Sequence, residues 1–119
     1  MTTNEVMNLD CRKEENRRII QKVLRQIKPL SKYSDECDIP FEAIEKAIVV
    51  MTKKYNMRVR SFTPDMFAND SHVIWSAMLI NETNYKVIDQ VHGITLYEVF
   101  AKVAIRLYSE VKKGIPIRK

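Results

Sequence analysis

The run from His72 to Lys113 leaves the chain few choices, because two apolar strands lead into an amphipathic helix whose start and stop are both legible. Residues His72 to Ile80 (HVIWSAMLI) are apolar on both alternating faces, which a strand tolerates when both faces are covered. A chain of 119 residues offers little material for two covering layers, so the second face is expected to meet another copy of the chain in a homo-oligomer, a dimer or higher. Tyr85 to Val91 (YKVIDQV) alternates like a strand with one wet face, and Asn81-Glu82-Thr83-Asn84 between them is a polar loop of hairpin length. Gly93 breaks the second strand. Thr95 stands three residues before Glu98, the spacing at which hydroxyl and carboxylate cap each other's backbone N–H groups. Behind this cap Leu96, Val99, Phe100, Val103, Ala104, Leu107 and Val111 recur at helical steps and form one apolar stripe. Glu98, Lys102, Arg106, Ser109 and Lys113 fall on the other side, expected to face solvent, and Gly114 followed by Pro116 ends the helix.

Upstream, residues 1–8 are polar and predicted to fray. Asn8 or Asp10 can cap a helix that runs to Lys28 and stops before Pro29, with Ile19, Ile20, Val23, Leu24 and Ile27 as its stripe. The remainder of that helix is charged. It either reaches across as an arm toward another subunit or packs on its own domain with a solvated outer face. Asp38 can cap a further helix with Pro40 in its first turn, in which Phe41, Ile44, Ile48, Met51 and Tyr55 repeat at helical spacing. Met57 to Phe62 alternates apolar residues with Arg58 and Arg60, as a half-exposed strand would, and Thr63 to Asn69 reads as a connection around Pro64. The order helix, helix, strand, strand, strand, helix predicts one α+β domain over residues 1–119, with a helical arm at about 10–28 and a core at about 38–114 on a three-stranded antiparallel sheet.

Hydrophobic residues make up 45 % of the chain, enough for a core without metal or disulfide support. Cys11 and Cys37 lack a second pair that could complete a zinc site and are expected to be reduced thiols, which fits a cytoplasmic protein. No apolar run approaches the ~18–20 residues that span a bilayer, and the amino terminus has no signal-peptide core, so no membrane partner is expected. The net charge of +5 is modest for a dedicated nucleic-acid binder, and its basic residues are dispersed along the chain.

Catalytic signatures are missing. With Gly93 and Gly114 as the only glycines there is no phosphate loop, and HExxH, CxxC and GxSxG are absent, so the chain reads as a binding protein without a cofactor, not an enzyme. His72 and His92 can be drawn as an acid–base pair across the hairpin, or as surface residues at strand ends. Asp65, Asp70, Glu82 and Asp89 are spread over loops and a strand. The aromatic residues Phe62, Phe67, Trp75, Tyr85, Tyr97 and Tyr108 lie close to basic or amide residues in the sequence. Trp75 is either a core or interface anchor or a platform on which a purine stacks, with Asn81 or Asn84 reading the base edge. Lys102 and Arg106, one helical turn apart, are either a solvated face or a grip on one diphosphate.

From Phe41 to Lys113 the order of elements resembles double-stranded-RNA-binding domains. Those domains open their last helix with a lysine cluster, whereas here Gly93 is followed by Ile94, Thr95, Leu96, Tyr97 and Glu98, so duplex binding is not implied. The length, the basic amino-terminal helix, the aromatic strand and HGITLYEVFAKVAIRLYSEV together resemble the phage anti-Thoeris proteins of the first described type. That resemblance implies a non-enzymatic viral protein in the host cytoplasm that sequesters cyclic ADP-ribose isomers such as gcADPR in pockets at subunit contacts; some members also trap cyclic oligonucleotides. It implies ligand contacts from Trp75, Asn81, Asn84, Tyr85, Lys102 and Arg106, with a lysine at 102 where the family is expected to carry arginine. Two other classes stay open: a nucleic-acid binder using the basic amino-terminal helix with Arg58 and Arg60, and an inhibitor that blocks a host protein through its helices.

Overall fold

The carboxy-terminal helix starts where the sequence places it, and the rest of the fold is built around it. The computed structural model describes residues 2–55, 57–65, 74–82 and 84–112. Its elements are α1 (Thr3–Met7), α2 (Glu14–Leu24), a single 3-10 turn (Lys28–Leu30), α3 (Phe41–Tyr55), β1 (Met57–Asp65), β2 (Ile74–Asn81), β3 (Val87–Gly93) and α4 (Leu96–Lys112). The fold is α+β, with the strands in one antiparallel sheet ordered β1-β2-β3. The expected helix stop at Gly114 and Pro116, and the residues His72, Phe67 and Asp70, lie outside the described residues.

β2 is central, in keeping with its two apolar faces. Ala77 and Leu79 turn inward and are buried, while Ser76, Met78 and Ile80 on the opposite face remain partly exposed. Pairing sets Arg58 beside Ile80, Arg60 beside Met78, Gln90 beside Met78 and Val87 beside Ile80, so the outer face is a mixed apolar and basic surface. β1 runs on through Thr63, Pro64 and Asp65, which pair with Ser76, Trp75 and Ile74, where a connection had been expected. An edge strand can hold Pro64, since it need not donate on its open side, and the register shift between Arg60 and Thr63 bends it there. The other edge is blunted by a shift opposite Leu79 and Ile80 and by Asp89, which points at α4.

The amino terminus departs most from expectation. Residues 2–8 do not fray: Thr2 and Glu5 cap α1 reciprocally, and Val6, only 2 % exposed, packs into the core. α1 lies on α4, where Thr3 Oγ1 donates to Ser109 Oγ at 3.1 Å. α2 begins at Glu14 rather than near Asp10, because Asp10 takes the N–H of Arg12 and forms a local turn. Its apolar side, with Ile20 and Leu24, packs on the chain's own core, so the helix is part of the domain. For α3, the carbonyl of Pro40 accepts from Ala43 and Ile44, which makes Pro40 the residue before the helix, so the cap falls two residues after the expected Asp38.

α4 is the hub. Thr95 Oγ1 accepts from the Glu98 N–H and Glu98 Oε1 accepts from Ile94, as the sequence spacing predicts. Its supposed wet side is covered: Glu98, Lys102 and Glu110 are buried along with Val99, Val103, Ala104 and Leu107. The expectation that Glu98, Lys102, Arg106 and Ser109 face solvent is therefore corrected, since α1 and Asp89 close over them. No helix among the described residues is long and apolar enough to cross a membrane.

Gly93 sits where β3 meets the first turn of α4, and a Cβ there would stand 3.0 Å from Glu98 Cδ and Cγ and from Val99 Cγ2. Gly93→Ala is expected to destabilise the fold by about 1–3 kcal/mol through overpacking. Urea unfolding checks this; an unchanged midpoint would show that the capping turn yields freely.

Candidate ligand-binding site

The six residues proposed from the sequence fall in three places: the start of β2, the β2–β3 hairpin and α4. Trp75 lies near the start of β2 between Pro64 and Gly93 of the neighbouring strands, and its ring is half-buried against the core. Asn81 ends the same strand, so the two are separated by about 20 Å at ~3.3 Å per residue. A single chain therefore cannot wrap one nucleotide with both Trp75 and the hairpin.

At the hairpin, the Asn81 N–H donates to the carbonyl of Lys86 at 2.9 Å, and its own carbonyl accepts from the Tyr85 N–H at 2.8 Å. Asn84 Oδ1 accepts from the Lys86 N–H at 3.0 Å, so its carboxamide oxygen is engaged in the turn. Tyr85 stands at φ 58° with its side chain projecting, 78 % exposed. A bulky residue in the left-handed region is uncommon and carries a conformational cost. The turn thus displays an aromatic ring where asparagine or glycine would sit with less strain. Glu82 beside it is paired with Arg58 of β1.

The two cations of α4 are already engaged. Lys102, 3 % exposed, donates from Nζ to Glu98 Oε2 at 2.7 Å and to the carbonyl of Leu9 at 3.0 Å. It pins the segment after α1 to α4, and a phosphate could reach it only if that segment lifted away. Arg106 donates from Nε to Asp89 Oδ2 at 2.9 Å and from Nη1 to Glu110 Oε1. Two carboxylates on different elements fix its guanidinium plane, which orients the fork and lowers its net charge. The picture of one diphosphate held by both cations on an open face does not survive this burial.

Other side chains singled out from the sequence are structural. The Tyr97 hydroxyl accepts from Gln21 Nε2 at 2.9 Å and donates to the carbonyl of Ile39 at 2.5 Å, while Gln21 Oε1 accepts from the Ile39 N–H at 2.9 Å. Burial pushes the Tyr97 phenol up. The basic residues of α2 are also used locally. Arg17 donates to the carbonyls of Cys11 and Arg12, Arg18 pairs with Glu14, and Arg25 donates to the carbonyls of Tyr33, Ser34 and Cys37. His92 is exposed on the outer sheet face opposite Ser76.

Several grooves of about 300–540 Å³ are large enough for small molecules, and one of about 300 Å³ is lined by Lys102 together with His92, Gly93 and Glu98. One of about 540 Å³ runs between α3 and β1, lined by Ile48, Val49, Met57, Arg58, Glu82 and Phe100. A second of about 310 Å³ lies between α2 and the start of α4, lined by Cys11, Ile20, Gln21, Ile94 and Tyr97. Neither is lined by Trp75, Asn81, Asn84, Tyr85 or Arg106. No group of three or more metal-ligating side chains occurs among the described residues.

Sequence reasoning missed the buried side of α4, although a signal was present. Glu98, Lys102, Arg106 and Glu110 follow one another at i+4 steps in the charge order minus, plus, plus, minus, and pair as Glu98–Lys102 and Arg106–Glu110. A row that neutralises itself can be buried where a row of one sign cannot. Compared with family models, with curated proteins and with solved structures, the chain matches none.

Cys11 and Cys37 are both free thiols, Cys37 exposed and Cys11 half-covered beside Glu98. Burial, with Glu98 adding to it, pushes the Cys11 thiol up to about 11, so its reactive thiolate is scarce at pH 8. Iodoacetamide at that pH is expected to label Cys37 first, with Cys11 labelled only on unfolding. Equal labelling of both by mass spectrometry would show that the amino-terminal segment opens readily.

Proposed function

We propose that the protein is a phage anti-defence protein that binds a cyclic ADP-ribose-type nucleotide and withholds it from Thoeris immunity without cleaving it. The observation that carries this reading is Tyr85, an aromatic ring held out from the hairpin in a conformation that few bulky residues adopt. Exposed rings stack on bases at ~1–3 kcal/mol each, and that gain offsets the cost of the turn only when a ligand is present. The carboxamides of Asn81 and Asn84 flank the ring in sequence. In this reading Arg106 offers a phosphate only the donors that Asp89 and Glu110 leave over, a contact weakened by those two carboxylates. Lys102 acts at one remove, by holding the segment beside it.

In this reading a second copy of the chain completes the pocket, since Trp75 lies at the far end of β2 from its own hairpin and on the inner face with Ala77 and Leu79, packed against the core. The partly exposed outer sheet face, with Met78, Ile80 and Val87, is the surface on which such a copy would sit. A pocket made this way is complete only in the oligomer, and in this reading it releases its ligand unchanged. The nucleic-acid reading is weaker, because the groove beside α2 that gathers Arg17, Arg18, Lys22 and Arg25 is also lined by Glu14, Asp35, Glu36 and Asp38.

Isothermal titration of the purified protein with a cyclic ADP-ribose isomer is expected to show saturable binding below about 1 μM, with ligand recovered intact by mass spectrometry. Tyr85→Gly relieves the left-handed strain, so it should leave stability equal or higher while weakening binding at least about tenfold. Absence of heat for the wild type, a chemically altered ligand, or unchanged affinity in Tyr85→Gly each argues against the proposal.

A further inference from the structure

We infer that α3 is the contact face of a symmetric dimer of this chain, in which two copies of the helix pack antiparallel about a dyad at Val49 and Val50. The inner side of α3 is accounted for: Ile44, Ala47, Ile48 and Met51 are buried, and the helix packs on α4 and β1. Its outer side carries Val49 and Val50, 45 % and 57 % exposed. One exposed valine is ordinary. Here two adjacent valines form a ridge with a groove on either side. Val49 lines the groove of about 540 Å³ toward β1, and Val50 lines another of about 370 Å³ toward Pro29, Leu30 and Tyr33. A ridge between grooves is the relief that a second helix fits.

The charges on α3 specify which helix that is. Glu42 and Glu45 stand near its start and Lys53 and Lys54 near its end, all exposed, and none of them makes an ion pair with a described residue of its own chain. The midpoint of Glu45 and Lys53 in the sequence is Val49. A dyad at that point therefore sets the acidic end of each helix against the basic end of its partner and joins the apolar ridges between them. Parallel packing would oppose like charges, so only the antiparallel arrangement is favoured. The contact is self-complementary, as a two-fold interface must be. Lys46, between the two charged ends, can lay its methylene stem along the partner's valines and keep its ammonium in water.

This surface is separate from the outer sheet face and does not depend on the nucleotide reading. Sedimentation equilibrium of the full chain at micromolar concentration is expected to show a dimer, or an even-numbered assembly of it where the outer sheet face pairs as well. E42K/E45K and K53E/K54E should each weaken it at least about tenfold, and an equimolar mixture of the two should associate at least as tightly as the wild type. Circular dichroism checks that each variant folds. Val50→Glu, at a position more than half exposed, should also dissociate the dimer and keeps the test open if a double variant misfolds. A wild type that stays monomeric at 100 times the working concentration used for titration, roughly 100 μM, overturns the inference. So does a dimer indifferent to every α3 variant, which would be held by another surface.

Discussion

The ion pair between Glu98 and Lys102 ties three parts of the molecule to one turn of helix. Glu98 accepts from the backbone of Ile94 and so fixes where α4 leaves β3, and its other oxygen holds Lys102 at 2.7 Å. Lys102 in turn donates to the carbonyl of Leu9 and holds the amino-terminal segment on the helix. Removing two charges from water is costly, and the pair is tolerable because each member has a further hydrogen bond. Gly93 is required at the same point, since a side chain there would press on Glu98 and Val99.

Much of this fold was legible because local rules and tertiary packing agree. The alternation in MRVRSF, the apolar run of β2, and the Thr95 and Glu98 cap each specified an element that formed within a few residues of its expected bounds. Expectation failed where distant segments meet. Nothing local in residues 2–8 marks Val6 as a core residue; it is one because α4 offers a surface for α1 to cover. The same contact turned Lys102 from a solvated lysine into a buried one. Pro64 misled in the other direction, because the rule that proline interrupts strands weakens at a sheet edge.

The candidate site was legible as a set of residue types and not as a place. Tyr85 and Asn84 were selected for chemistry, and the structure adds a reason to look at them in the left-handed backbone of Tyr85. Trp75 and the hairpin proved to be at opposite ends of β2, a separation hidden in a linear reading because strand length, not sequence distance, sets it. Arg106 reads in the sequence as an exposed cation and is instead a guanidinium braced by Asp89 and Glu110. The two carboxylates compensate its charge, which is what lets a guanidinium sit in this half-covered place.

The most direct test of this account is amide hydrogen exchange on Lys102→Met, alongside its unfolding free energy. The substitution keeps the volume of the side chain and leaves the Glu98 carboxylate buried without its cation. The account predicts a loss of about 3 kcal/mol in stability and faster exchange confined first to the residues around Val6 to Arg12, with α3 and the sheet protected until global unfolding. Unchanged exchange in the amino-terminal segment, with stability within about 0.5 kcal/mol of the wild type, would contradict it and return Lys102 to the role of a free cation.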